Sequence, residues 1–270
     1  MNKEQYTKKY IGSYNEYNIT KEDALKDLEN HKGIEYKINS QFFRSKEFYK
    51  LDSKKINILY AGCSNTFGFG LTEEELWTTQ LTKKFNFENV STDNIAYCGA
   101  SVHSIIRNIF AFLNNFGNPD YIFVLFPINS RNLFYWAQKY QKRESGHFIN
   151  AMIPQINTQE NVLNSFFEYS KKYSEEDSLM LYSTLLKSLE QYCKTASIKL
   201  IWSTWANQDY LFFNQLDFEN LIDIEDAMVN NNLENVKNFP YWEIAYDKSH
   251  SGSKWHSKIA DIYWDKIKND

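Results

Sequence analysis

Tyr121-Ile-Phe-Val-Leu-Phe126 is a continuous apolar run with no polar position between its ends. A strand with one face in water alternates apolar and polar residues; an unbroken run is what a parallel strand covered on both faces requires. The chain is therefore expected to build a sheet with helices on either side. The neighbouring segments agree. Ile56 to Ala61 reads as a short strand, Gly62-Cys-Ser-Asn-Thr-Phe-Gly68 as a turn of small residues, and Trp77, Leu81 and Phe85 as one face of a helix preceded by Glu73, Glu74 and Glu75. Asn94 to Cys98 predicts a second strand, Gly99-Ala-Ser101 a turn, and Val102 to Phe116 a helix stopped by Gly117 and Pro119. Leu179, Leu185, Leu186, Leu189 and Tyr192 predict a helix leading to a strand at Ile198 to Trp202. Strands alternating with helices imply right-handed parallel crossovers, hence an α/β fold: a three-layer α/β/α sandwich around a mainly parallel sheet.

The whole of 1–270 is expected to form one domain. It has a polar N-terminal extension, 1–55, with a short capped helix from Thr20 to near His31, and insertions around 140–175 and 206–241 that are too long for simple connections. A last helix starts at Ser251 or Ser253 and presents Trp255, Ile259, Ile262, Tyr263 and Ile267. Charge and composition exclude several classes. The net charge of -4 comes from 30 basic and 34 acidic residues spread along the chain, so nothing marks a nucleic-acid or anionic-membrane partner. No apolar stretch suits a membrane span or a signal peptide, and the expected location is the cytoplasm. Cys63, Cys98 and Cys193 lack metal or disulfide spacing, so neither a disulfide framework nor a zinc site is expected. The aromatic fraction of 17% suits carbohydrate stacking, but it suits the codon bias of an AT-rich genome better.

In an open α/β sheet, ligands bind beyond the carboxyl ends of the strands. Ser64 lies there, on a sharp turn that opens a helix, where its hydroxyl and the first N–H groups of the helix face one crevice. The turn has neither the Gly-Lys-Ser/Thr of a phosphate loop nor the spaced glycines of a dinucleotide fold. A serine nucleophile needs a base. His31, His103 and His147 read as surface or structural histidines, whereas His250 follows Asp247 by three residues, a spacing that lets the carboxylate orient the imidazole. His256 is the competitor, with a ring expected to point partly to solvent or to a neighbouring loop. Cys63 is expected to be a packed thiol.

Together these segments resemble the SGNH (GDSL-type) hydrolases. Gly62-Cys-Ser64-Asn-Thr66-Phe-Gly68 resembles the first family block, with Cys63 where Asp is common; Asn94 with Gly99-Ala-Ser101 resembles the second. Pro127-Ile-Asn129-Ser keeps only the asparagine of the third block, and Asp247-x-x-His250 resembles the last. Upstream, Ile38-Asn-Ser-Gln-Phe-Phe-Arg-Ser-Lys-Glu-Phe48 is similar to the lead-in Asn-x-x-Gly-Phe-Arg seen in a subset of bacterial and phage members, which would place the N-terminal region in the same domain.

The resemblance implies a flavodoxin-like sheet and a serine ester hydrolase without cofactor. Ser64, His250 and Asp247 would form the triad, and Ser64 N–H, Gly99 N–H and the Asn129 side chain the oxyanion hole. Asn132 or Arg131 would supply the third donor if Asn129 faces away. Arg131 could instead hold an anionic part of the substrate, or pair structurally. Trp202 and Trp205 could line the substrate site, although core packing suits either better. The implied substrate is a small acyl ester, such as an O-acetyl group on a sugar or polysaccharide. Two other readings stand beside it: acyl transfer to a sugar by the same acyl-enzyme, and a catalytically weak binding or structural protein, as in a virion. A viral protein would reside in the virion or host cell.

Overall fold

The computed structural model describes residues 34–85, 89–127, 131–138, 145–152, 175–205, 207–224, 245–246 and 250–269. In chain order the elements are β1 (Ile56–Gly62), α1 (Ser64–Phe67), α2 (Trp77–Lys84), β2 (Val90–Asn94), α3 (Val102–Phe116), β3 (Tyr121–Phe126), β4 (Arg131–Gln138), β5 (Ser145–Met152), α4 (Glu175–Thr195), β6 (Lys199–Thr204), α5 (Asn207–Asn214) and α6 (Ser253–Asn269). β1, β2, β3 and β6 form one parallel sheet in the order β2-β1-β3-β6. This is the doubly wound arrangement in which the strand order reverses beside β1.

Side-chain alternation along β3 explains its lack of a polar position. Ile122, Val124 and Phe126 enter a core layer with Leu59, Leu200 and Trp202, under Ile105, Ile109 and Phe112 of α3 and Tyr182, Leu186 and Leu189 of α4. Phe123 and Leu125 enter the opposite layer with Tyr60 and Ile201, under Trp77 and Leu81 of α2 and Trp255, Ile259 and Tyr263 of α6. The architecture is thus a three-layer α/β/α sandwich.

Three expectations are corrected. β2 begins four residues earlier than its apolar run suggested: Val90–Asn94 pairs with β1 along one edge only, where a polar sequence suffices. The apolar continuation still bonds β1, through Ile95 N–H to the Tyr60 carbonyl at 2.9 Å. Second, β4 and β5 pair as an antiparallel hairpin from Arg131↔Met152 to Gln138↔Ser145, where a loop and the start of an insertion were expected. Third, the segment after 206 opens with α5, and Leu221 then bridges Trp202 in parallel, so its first part returns to the sheet edge. The expected helix near Thr20 and residues 225–244 lie outside the described residues.

Residues 34–51 pack onto this frame. Phe43 and Phe48 are buried in the α3 layer, and Leu51 N–H bonds the Phe116 carbonyl. Across the sheet, the Tyr263 hydroxyl donates to the Val124 carbonyl at 2.6 Å while its ring stacks on Trp77 at 5.0 Å. Tyr263→Phe keeps the ring and removes the hydrogen bond, so the urea midpoint should fall by an equivalent of about 1 kcal/mol; an unchanged midpoint would mean that burying the hydroxyl costs as much as its bond returns.

Candidate active site

Ser64 is the first residue of α1, directly beyond β1, and is 5% exposed. Cys63 precedes it as the N-cap residue and is fully buried, a packed thiol. α1 lasts one turn because Gly68 follows at φ 77°, a left-handed conformation that closes the helix with its N–H on the Ser64 carbonyl at 2.8 Å. A side chain at Gly68 would also run into Leu76. The glutamates after it form a separate 3₁₀ turn, Glu73–Glu75, in which Glu75 accepts from Thr72 N–H, and α2 begins only at Trp77.

The late histidine loop is tied to this turn. The Phe69 ring packs on the His250 ring with centroids 5.3 Å apart, and Tyr246 N–H bonds the Gly70 carbonyl at 3.1 Å. Ala245 N–H bonds the His250 carbonyl at 2.8 Å, which closes the loop on itself. Asp247, three residues before His250 in the sequence, lies outside the described residues. The second block is joined to the first by Asn94, whose side-chain amide reaches the Thr66 carbonyl at 3.4 Å and whose carbonyl oxygen accepts Ala96 N–H at 2.9 Å. Gly99 is exposed at φ 78°, a conformation that favours glycine, and Ser101 caps α3 by accepting Ser104 N–H.

Beneath the Ser64 turn lies a charge to which the sequence reading assigned no role. Arg44, 2% exposed, donates through Nη1 to the Phe67 and Gly68 carbonyls at 3.2 and 2.7 Å and through Nη2 to the Leu71 carbonyl at 2.9 Å. Its guanidinium lies over the Tyr36 ring at 4.7 Å, and its Nε is 3.3 Å from the Glu73 carboxylate. Burial lowers its pKa from the ordinary value, and Glu73 opposes that shift. The available signal was an arginine following two phenylalanines.

His256 and Asn132 sit differently from expectation. His256 is 1% exposed rather than turned to solvent: its Nδ1 accepts Trp77 N–H at 3.1 Å, so it caps the start of α2. Burial, then the nearby Arg44 and His250, push its pKa down to about 3. Trp202 lines no crevice; it is wholly buried, with its indole N–H on Glu190 at 3.0 Å. Trp205 is half-buried at the end of β6, with its backbone N–H on the Phe126 carbonyl. Arg131 and Asn132 belong to β4, so Asn132 is a strand residue where a loop was expected. Asn129 lies outside the described residues. His103, half-buried on α3, packs edge-on against Tyr182 at 4.9 Å, and burial lowers its pKa. Among the described residues, no cluster of three or more His, Cys, Asp or Glu is placed to hold a metal ion, and no helix is long and apolar enough to cross a membrane.

A serine turn after β1, a glycine turn after β2 and a histidine loop before α6 meet at one end of a parallel sheet ordered β2-β1-β3-β6. The fold is a three-layer α/β/α sandwich around a parallel sheet. No family model and no curated protein matches the chain. Similar solved structures include a psychrotrophic esterase, EstA, from Pseudoalteromonas sp., at 14% identity and TM-score 0.44 over 80% of this chain and 98% of that one. A G-D-S-L family lipolytic protein from Veillonella parvula is 12% identical, with TM-score 0.46, over 79% of this chain and 99% of that one. The acetyl xylan esterase AlAXEase is 14% identical, also at TM-score 0.46, over 78% and 100%.

His256 gives the site a pH signature. It is neutral in the fold, with a pKa of about 3 against an ordinary 6.5, so below pH 6.5 the unfolded chain takes up a proton that the folded one refuses, and stability falls as pH falls toward 3. Relative to His256→Gln, the wild type should lose about 2 kcal/mol between about pH 7.5 and pH 5, measured by urea unfolding. Taking the difference removes the contribution of Asp93, whose carboxyl burial pushes up to about 6 and whose effect has the opposite sign. A pH-independent difference would show that His256 is not held neutral.

Proposed function

We propose that this chain is a serine ester hydrolase of the SGNH type, acting on a small acyl ester such as an O-acetylated sugar. The observation that carries the reading is the seating of the His250 loop on the Ser64 turn, through the Phe69 ring and the Gly70 carbonyl. His250, oriented by Asp247, takes the proton of the Ser64 hydroxyl as its oxygen attacks the ester carbonyl. The oxyanion is held by Ser64 N–H, Gly99 N–H and the Asn129 side chain. Collapse expels the alcohol, which takes the proton from His250. Water then attacks the acyl-enzyme with the same base, releasing the acid and restoring Ser64. Gly99 is exposed, with open space where a side chain would stand.

Ser64→Ala and His250→Ala should each abolish p-nitrophenyl acetate turnover, since members of such a triad lose up to about 10⁶-fold singly. Cys63→Ala should keep it, and a fluorophosphonate should label Ser64. Full activity in Ser64→Ala sinks the reading. Asp247→Asn should retain more activity, because it orients the base without doing the chemistry. Asn129→Ala should lower turnover by about 10²- to 10³-fold with little change in KM, because the interaction strengthens only as the oxyanion forms. A large loss at Asn132→Ala with none at Asn129→Ala would move the third donor along the chain.

A further inference from the structure

Arg44 is a buried cation whose hydrogen bonds go to consecutive parts of one backbone segment. α1 is a single turn, so the carbonyls at its end find no acceptor role inside the helix. The Ser64 carbonyl takes Gly68 and Phe69 N–H, at 2.8 and 3.2 Å, and the carbonyls of Phe67, Gly68 and Leu71 turn to the guanidinium. A positive charge at this end also matches the negative pole of the turn. The segment held in this way carries Phe69 and Gly70, the two residues that seat the His250 loop. Tyr36 supports both partners: its ring lies under the guanidinium, and its hydroxyl accepts Gly70 N–H at 2.8 Å.

The presentation of Arg44 is itself built. The Asn39 side chain accepts Gln41 and Phe43 N–H, both at 3.0 Å, and Ile38 bridges Arg44 across the turn. Phe42 takes φ 68°, a left-handed conformation costly for a bulky residue. Strain of this kind persists only where surrounding contacts over-determine the segment.

From these contacts we infer that Arg44 is a positioning residue: it clamps the 64–71 turn, and through Phe69 and Gly70 sets Ser64 against His250. The inference rests on the ester-hydrolase reading for its catalytic half alone. The planar guanidinium reaches three carbonyls from two nitrogens; a lysine ammonium in its place offers a single point of contact and holds fewer of them.

The test compares wild type with Arg44→Lys and Arg44→Met, each first shown by circular dichroism to be folded; if Arg44→Met does not fold, Arg44→Lys alone decides. Amide hydrogen exchange within 64–71 should rise about tenfold or more in the variants, with exchange in 121–126 and 199–204 unchanged. For p-nitrophenyl acetate, kcat should fall by about 10²-fold with KM little altered, as expected when reacting groups are misplaced by about 1 Å. Arg44→Lys should recover part of the loss seen in Arg44→Met. Unchanged exchange in 64–71, or a rise spread evenly over the chain, overturns the clamp. Local exchange with unaltered kcat overturns the positioning role. A wild type that neither turns over ester nor takes the fluorophosphonate label refutes the hydrolase reading, and the exchange pattern then decides the clamp by itself.

Discussion

Double burial of β3 is the constraint from which the rest of the structure follows. The strand is paired along both edges, with β1 and β6, and covered on both faces. Each residue is therefore committed to one layer or the other. Ile122, Val124 and Phe126 recruit α3 and α4, while Phe123 and Leu125 recruit α2 and α6. Parallel pairing then sends every connection across a face, and the carboxyl ends of β1, β2, β3 and β6 collect at one rim. The site stands at that rim because the irregular turns have to be there.

Those turns leave the regular ladders, so their buried backbone groups need partners from elsewhere. Arg44 supplies donors to three carbonyls, Asn94 bonds Thr66 and Ala96, and His256 accepts the first N–H of α2. These are polar side chains inside an apolar interior, each aimed at a place where the chain changes direction. Stability of the rim and geometry of the candidate site are thus carried by the same few contacts.

Elements built by periodicity were legible in the sequence: β1, β3 and β6 as short apolar runs, and α3, α4 and α6 as stripes of large apolar residues. β2 was misplaced because an edge strand bonded on one side needs no apolar run, and Val90-Ser-Thr-Asp-Asn94 reads as loop. The β4–β5 hairpin was missed because Leu133-Phe-Tyr-Trp136 does not alternate. At the site, local motifs singled out the Ser64 turn and the His250 loop, and the structure places these two segments in contact. The work of Arg44 and His256 was not, since each acts on a segment far away in the chain, Phe67 to Leu71 in one case and Trp77 in the other. Local spacing carries no information about such partners. His256 looked exposed because it follows Trp255, yet α6 is deeply enclosed at that level and both side chains are buried.

The Ser64 turn is braced from upstream by Tyr36 and Arg44 and from downstream by the loop that ends at His250, more than two hundred residues after Arg44. A chain emerging from the ribosome presents its serine long before the downstream brace has been synthesised. Contacts of such sequence separation close late, after loop entropy has been overcome. Until then the nascent Ser64 turn has its upstream brace alone.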